Sequence, residues 1–397
     1  MPSVVFRKGL DLKDAVAADL AAAYHSRVVD EIRQAGFTRT AGRLTVHLAR
    51  EFGFCYGVDR AVDYAYQTRK RFPDRRVFLT GEIIHNPHVN DQLRSQQIRF
   101  LSDPAERGTQ LGPEDVVILP AFGVAVGELA RLSKQGCTLV DTTCGSVLNV
   151  WKNVRRYAQD GFTSIIHGKT YHEETRATAS QATDFPGGHY LIVRDETEAN
   201  LVCEFIRHGG EPAVLLGHFG EAVSPGFDPM RHLERVGCAN QTTMLMTESL
   251  RIGELVRAAM RDRYGEADLA SRFRAFDTIC SATQERQDAV VDLLKTQALA
   301  LMVVIGGYNS SNTCNLARIC AEQVPTFHIA DPECLVSDQA IRNRPIGAPS
   351  TSDVPETLTQ GWLPAGPVAI GLTAGASTPN SIIGQVIERL AGWGHSQ

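Results

Sequence analysis

The chain has little that would take it into a membrane or onto a polyanion. No apolar run approaches the ~20 residues that a spanning helix requires. Lys and Arg number 40 against 45 Asp and Glu, a formal charge of −5, so there is no basic excess to draw nucleic acid or anionic lipid. Nine cysteines make an odd set without dense, regular spacing, which argues against a secreted disulfide scaffold and for a reducing cytosol. The N-terminal stretch has no signal-peptide core. It carries Asp11, Asp14, Asp19, Asp30 and Glu31, acids that an organellar transit peptide largely lacks. What is present is ordinary for a soluble globular protein. At 397 residues with 43% hydrophobic and 21% charged side chains, the chain is long enough for two or three domains.

Against this plain background one local pattern occurs three times. Cys137-Thr138-Leu139-Val140 reads as a buried strand. It runs through Asp141-Thr142-Thr143-Cys144-Gly145 into Val147, Val150, Trp151 and Val154 at helical spacing. Leu44 to Leu48 leads in the same way to Gly53-Phe54-Cys55-Tyr56-Gly57 and then to Val58, Ala61, Val62 and Ala65. Phe276 to Ile279 leads to Cys280, then Ala282, Ala289, Val290 and Leu293. A cysteine in a strand-to-helix turn meets unpaired N–H groups and a partial positive charge. Both favour the thiolate, the form that binds metal. For one such residue a buried structural thiol is the better reading. Three in one context reverse it and suit an iron–sulfur cluster with three protein ligands and one open iron.

The chain divides by these repeats into residues 1–43, 44–140, 141–275 and 276–397. Residues 1–43 predict a single amphipathic helix from about Leu12 to Gln34, a docking or dimer element, which leaves a homodimer open. In 44–140, strands at 76–80 and 116–119 end near His85 and Pro120-Ala121-Phe122-Gly123. Ligands of open α/β sheets bind beyond the carboxyl ends of strands, although a lone histidine there is more often a structural hydrogen-bonder. In 141–275, Gly168-Lys169-Thr170 looks like the end of a phosphate-binding P-loop, but the required upstream glycine is Thr163 and the nucleotide reading fails. Glu174 beside His172 reads either as a proton-transfer pair or as a solvated loop carboxylate. Asn240-Gln241-Thr242-Thr243 reads as a site lining or as a helix cap. Residues 218–237 read as an exposed insertion. In 276–397 two strands, 299–305 and 368–372, break into Gly306-Gly307-Tyr308-Asn309-Ser310-Ser311-Asn312-Thr313 and Thr373-Ala374-Gly375-Ala376-Ser377-Thr378, each followed by a helix. That layout holds a phosphate through N–H groups, helix dipole and hydroxyls. One such loop is as well explained by capping; two suggest a poly-anionic ligand. Residues 337–366 predict a surface loop.

Eight blocks, in order, resemble one family over about residues 44–390. They are Gly53-Phe54-Cys55 through Ala61, Glu82-Ile83-Ile84-His85-Asn86, Asp141 to Cys144, His172-x-Glu174, Gln241-Thr242-Thr243, Ile279-Cys280 through Gln287, Asn309 to Asn312, and Thr373 to Ser377. The family is the LytB family of 4-hydroxy-3-methylbut-2-enyl diphosphate reductases, and the chain is more similar to its plant and cyanobacterial branch than to the shorter bacterial one. The resemblance implies an α/β fold of three similar units in a pseudo-threefold trefoil. At its centre it implies one [4Fe–4S] cluster per chain on Cys55, Cys144 and Cys280, with the fourth iron open to the substrate hydroxyl. It further implies delivery of two electrons and a proton to an allylic alcohol diphosphate with loss of water, giving isopentenyl and dimethylallyl diphosphate, the last step of the non-mevalonate isoprenoid pathway. Glu174 would supply the proton and Thr242 would position the hydroxyl. His85, His172, Ser310, Asn312 and Ser377 would bind the diphosphate, with Ser311 beside them. A ferredoxin or flavodoxin is the implied electron donor and a bacterial cytosol the implied compartment. Burial near the anionic substrate is expected to raise the Glu174 pKa.

Two positions depart from the family pattern. Phe122 stands where the shorter bacterial sequences have a diphosphate-binding histidine, which leaves Lys169 as a candidate neighbour of the anion. Gly145 stands where proline is usual after the ligand cysteine, which loosens the start of that helix. Cys137, Cys203, Cys238, Cys314, Cys320 and Cys334 match no block and read as structural thiols. The rival readings are a quinolinate synthase-like iron–sulfur dehydratase and a non-catalytic iron–sulfur sensor, neither of which needs a diphosphate grip.

Overall fold

The computed structural model describes residues 4–276, 280–351 and 353–394. It is mixed α/β, and its contacts separate two compact units. One comprises Leu111–Pro113 and Phe122–Cys280; the other comprises Val5–Gln110, Glu114–Ala121 and Ser281–Gln397.

The discontinuous unit opens with β1 (Val5–Phe6), α1 (Lys13–Tyr24) and α2 (Arg27–Gln34). The expected single helix is broken at His25–Ser26. Ser26 takes an extended backbone, and its Oγ accepts from Val29 N–H at 3.4 Å, capping a new helix. Nor is this segment only an appendage. Val28, Val29 and Ile32 are buried in the core of the unit, and α2 packs on the C-terminal helix while α1 packs on the helix after Cys55. A hairpin follows, β2 (Thr38–Ala41) antiparallel to β3 (Leu44–Leu48). Then come α3 (Tyr56–Arg71), β4 (Val77–Leu79), α4 (Pro87–Ser95), β5 (Ile98–Phe100) and β6 (Val116–Leu119). β4 pairs in parallel with both β5 and β6, and its three residues are buried on both faces, as a parallel sheet requires.

The other unit contains α5 (Val126–Lys134), β7 (Thr138–Asp141), α6 (Gly145–Gln159), β8 (Thr163–His167), α7 (Glu173–Thr183), β9 (Tyr190–Val193) and α8 (Glu196–His208). It continues with α9 (Pro212–Phe219), α10 (Pro229–His232), β10 (Val236–Asn240), α11 (Met246–Tyr264), α12 (Glu266–Arg272) and β11 (Phe273–Ala275). Its sheet is parallel, in the order β11-β10-β8-β9. Residues 218–237 are not an exposed insertion. Phe219, Ala222, Phe227 and Leu233 are buried in the core of this unit, because the apolar residues between its prolines and glycines close the end of the β9 layer. The strand expected to lead into Cys280 falls on residues 277–279, outside the described residues.

The discontinuous unit resumes with α13 (Ser281–Thr296), β12 (Leu301–Ile305), α14 (Ser311–Ala321), β13 (Thr326–Ile329), β14 (Ala340–Asn343), β15 (Thr357–Gln360), β16 (Val368–Ala374) and α15 (Asn380–Trp393). Its larger sheet runs β13-β12-β16-β3-β2. β3, which the sequence groups with the strands of 44–140, here lies in register with β16, Val46 opposite Ile370. The expected surface loop 337–366 contains the β14–β15 hairpin, and Ile341, Trp362 and Leu363 are buried with the sheet. Polar turn residues at its ends concealed three apolar anchors. No helix among the described residues is long and apolar enough to cross a membrane.

Candidate active site

Each unit gathers one set of the residues singled out above. In the discontinuous unit the set begins at the turn after β3. Gly53 has φ +73°, and a Cβ there would meet Asn380 Oδ1 at 3.0 Å and Thr378 O at 3.2 Å, so only glycine lets the turn approach α15 this closely. Gly53 N–H donates to Ala374 O at 3.3 Å and Cys55 N–H to Ala376 O at 3.2 Å. From α13, buried Arg286 donates to Gly53 O at 2.7 Å and Phe54 O at 3.1 Å. Cys55 is thereby held as the N-cap residue of α3.

The two glycine-and-hydroxyl turns of the same unit meet around His85. Ser377 Oγ donates to His85 O at 3.1 Å. Ala376 N–H donates to Asn312 Oδ1 at 2.9 Å. A Cβ on Gly307 would fall 2.3 Å from His85 O, so the glycine is what allows the two loops to touch. Glu82 Oε2 accepts from His85 Nδ1 at 2.8 Å and from Asn309 Nδ2 at 2.7 Å. Ser310 caps α14, its Oγ accepting from Thr313 N–H at 3.4 Å. His85, Ser310, Ser311, Asn312 and Ser377 are all buried. The Asn312 Nδ2 donor, in a side chain 2% exposed, has no hydrogen-bond partner. An unpaired buried donor at a helix N-terminus costs about 1–3 kcal/mol unless a ligand accepts from it, and that end of a helix attracts anions.

The other unit gathers Cys144, Cys280, Glu174, His172 and Thr242. Cys144 is the N-cap residue of α6, placed by Asp141 Oδ1, which accepts from Thr143 N–H at 3.0 Å and Oγ1 at 2.6 Å. Ser146 Oγ, in the first turn of α6, donates to Cys280 Sγ at 3.4 Å. Cys280 N–H donates to Thr242 O at 3.4 Å, and Thr242 N–H donates to Glu174 Oε1 at 2.5 Å. Glu174 is 2% exposed, so it is not a solvated loop carboxylate. His172 caps α7, its Nδ1 accepting from Glu174 N–H at 3.2 Å, and the Phe122 ring meets it edge-on at 6.0 Å. The turn at Thr242 is pinned by Gln241, whose Oε1 accepts from Lys169 N–H at 3.2 Å and Thr175 Oγ1 at 3.1 Å.

All nine cysteines are unbridged. Cys55, Cys144, Cys280 and Cys314 are half-buried and the other five are buried. Burial pushes the thiol of Cys203 up to about 11 and those of Cys238 and Cys320 up to about 12, so these three stay protonated. Cys314 Sγ donates to Tyr308 O at 3.4 Å. Sequence reasoning gave no part to Glu82, Asn309, Arg286 or Ser146, although the first three lie inside the quoted blocks. Ser146, two residues beyond Cys144, carries no pattern of its own.

The LytB protein family profile matches residues 46–391. A 4-hydroxy-3-methylbut-2-enyl diphosphate reductase of Gloeobacter violaceus is 50% identical over 97% of this chain and 91% of its own length. One from Synechococcus sp. (strain CC9311) is 47% identical over 97% and 94%. A solved structure of (E)-4-hydroxy-3-methyl-but-2-enyl diphosphate reductase, the terminal enzyme of the non-mevalonate pathway, superposes with a TM-score of 0.52 at 27% identity, covering 87% of this chain and 99% of that one. The reductase structure from Plasmodium falciparum superposes at 0.61 with 19% identity, covering 87% of each chain, a likeness of fold alone. With a profile spanning most of its length and relatives at about half identity end to end, this chain belongs to the LytB protein family.

Proposed function

We infer that the chain is an oxidoreductase that converts 4-hydroxy-3-methylbut-2-enyl diphosphate to isopentenyl and dimethylallyl diphosphate, the terminal step of the non-mevalonate pathway. Two electrons and two protons enter and one water leaves. The geometric observation that carries the reading is the buried Asn312 Nδ2 at the N-terminus of α14, a donor with no hydrogen-bond partner and suited to an anion.

Cys55, Cys144 and Cys280 fit the ligands of one [4Fe–4S] cluster. Cys55 and Cys144 are N-cap residues, Cys280 directly precedes α13, and all three are half-buried. That placement leaves their sulfurs accessible beside helix N-termini, whereas the thiols of Cys203, Cys238 and Cys320 are buried and protonated. Such a cluster, when bound, supplies the electrons and an open iron for the substrate hydroxyl. The electrons come from a small acidic-type carrier such as a ferredoxin or flavodoxin, in the cytosol.

The chain's own residues bind, orient and move a proton. His85, His172, Ser310, Ser311, Asn312 and Ser377 grip the diphosphate, which does not react. Its binding energy serves to position the allylic carbon. Glu174 supplies a proton. It is buried and its Oε1 accepts from Thr242 N–H, which holds the carboxyl at one fixed position for that transfer. Thr242 orients the hydroxyl and a water. Phe122 packs against His172 and so contributes shape in place of a hydrogen bond.

Anaerobic oxidation of reduced viologen by the reconstituted protein tests the reading. Substrate-dependent oxidation yielding both five-carbon diphosphates is expected. Full iron and sulfide content without that oxidation would refute the substrate and favour a quinolinate synthase-like enzyme or a sensor.

A further inference from the structure

Arg344 is the largest fully buried side chain among the described residues, 1% exposed. It follows β14, and its main-chain N–H donates to His328 O at 2.8 Å. Arg342, two residues earlier, is exposed and paired with Glu356 at 3.3 Å. The Arg344 guanidinium instead donates to four main-chain carbonyls: Tyr308 and Pro349, Ala348 at 3.0 Å and Thr351 at 3.4 Å. A guanidinium does not give up its proton. Its charge is therefore buried, and carbonyl dipoles offset only part of the desolvation cost. His328 is driven down to about 3 by burial, with Arg344 adding to the effect, and is neutral; it bonds Gly306 O at 3.0 Å.

The carbonyl of Tyr308 stands two residues before Ser310, the cap of α14. In a trans peptide the C=O and the next N–H point in opposite directions. Turning Tyr308 O toward Arg344 therefore turns Asn309 N–H away from it. Cys314 Sγ, from the first turn of α14, donates to the same carbonyl. The cation thus lies behind the Gly306–Ser310 turn, whose helix carries the unpartnered Asn312 donor.

We propose that Arg344 is a buried positioning residue for the diphosphate, its charge, held behind the Tyr308–Ser310 turn, strengthening the affinity of the α14 N-terminus for the anion it does not touch. This rests on the diphosphate reading above. The test uses the full-length reconstituted protein and its Arg344→Gln and Arg344→Lys variants. Inorganic pyrophosphate binding is measured by calorimetry, and KM and kcat are measured with reduced viologen. Arg344→Gln is expected to weaken pyrophosphate about tenfold and raise KM by a similar factor with kcat within about twofold. Arg344→Lys, which keeps the charge, is expected to stay within about threefold of the parent. A folded Arg344→Gln protein that binds pyrophosphate like the parent overturns the proposal. So does equal loss in both variants, which assigns the effect to the shape of the turn. If Arg344→Gln does not fold, Arg344→Lys decides alone, and a loss of about tenfold or more refutes the role of charge. Failure of the parent itself to bind pyrophosphate would be a different result, and would overturn the diphosphate reading.

Discussion

Glu82 makes two bonds that no other side chain in its loop could replace, to His85 Nδ1 and to Asn309 Nδ2. Glu82→Gln keeps the shape but offers an amide that must choose between donating and accepting. Such hydrogen bonds to a charged group are worth about 1.5–3 kcal/mol, so KM for the diphosphate is expected to rise roughly tenfold or more, with kcat much less affected. Glu174→Gln should behave the other way: kcat falls about 10²–10⁴-fold while calorimetric pyrophosphate affinity stays near the parent's. Loss of pyrophosphate binding would remove the proton-donor role. Two other residues contribute to the pH dependence of stability. Burial lowers the pKa of His167 to about 4 and that of His328 to about 3. Below about pH 6.5 the unfolded chain takes up protons that the folded chain refuses, so stability is complete above 6.5. It falls with pH until each folded pKa is reached, by up to about 1.4 kcal/mol per pH unit per group. Urea midpoints at pH 7 and pH 5 should differ less in His167→Gln than in the parent; an unchanged difference would dismiss His167 as a contributor.

At the level of elements, Gly145 is the first helical residue of α6. A Cβ there meets nothing within 4 Å, and Cys144 before it is already extended at ψ 144°, the conformation that a following proline demands. Gly145→Pro is expected to stabilise the chain by about 0.4–1 kcal/mol, read as a higher urea midpoint. Serine substitution separates the cysteines: iron content should collapse for Cys55, Cys144 or Cys280 and persist for Cys314. The elements around these cysteines were legible because their signals are local. Val116–Leu119 is an unbroken apolar run and Val368–Leu372 one interrupted only by Gly371, both bounded by turn residues, and the passages through Cys55 and Cys144 repeat one strand–Cys–helix pattern. The break at Ser26 was missed because the apolar spacing of Val28 and Ile32 continues across it. The core role of Trp362 and Phe227 was hidden in stretches whose polar and turn residues dominate. Arg344 could not be found at all, since carbonyls at 308, 348, 349 and 351 leave no trace in residue type.

For the whole molecule, the family match begins at residue 46, inside β3, yet the residues before it are structural. Among the described residues β2 is the strand that covers one side of β3, and α2 buries Val28, Val29 and Ile32 against the same core. A chain beginning at residue 44 would uncover those surfaces and an open strand edge; we expect it in the insoluble fraction, and a soluble, iron-binding product would refute this. The position of β16 between β3 and β12 also has a consequence for how the protein is born. Arg43 reaches Pro364 across 321 residues, and the turn at Cys55 takes its shape from Ala374 and Ala376. At about 5–20 residues per second, β3 therefore waits roughly 15–60 s after synthesis for its neighbour. A ribosome-bound chain halted before residue 374 would present Cys55 without the turn that holds it, so on the proposed cluster reading iron would be expected to enter only after translation has nearly ended.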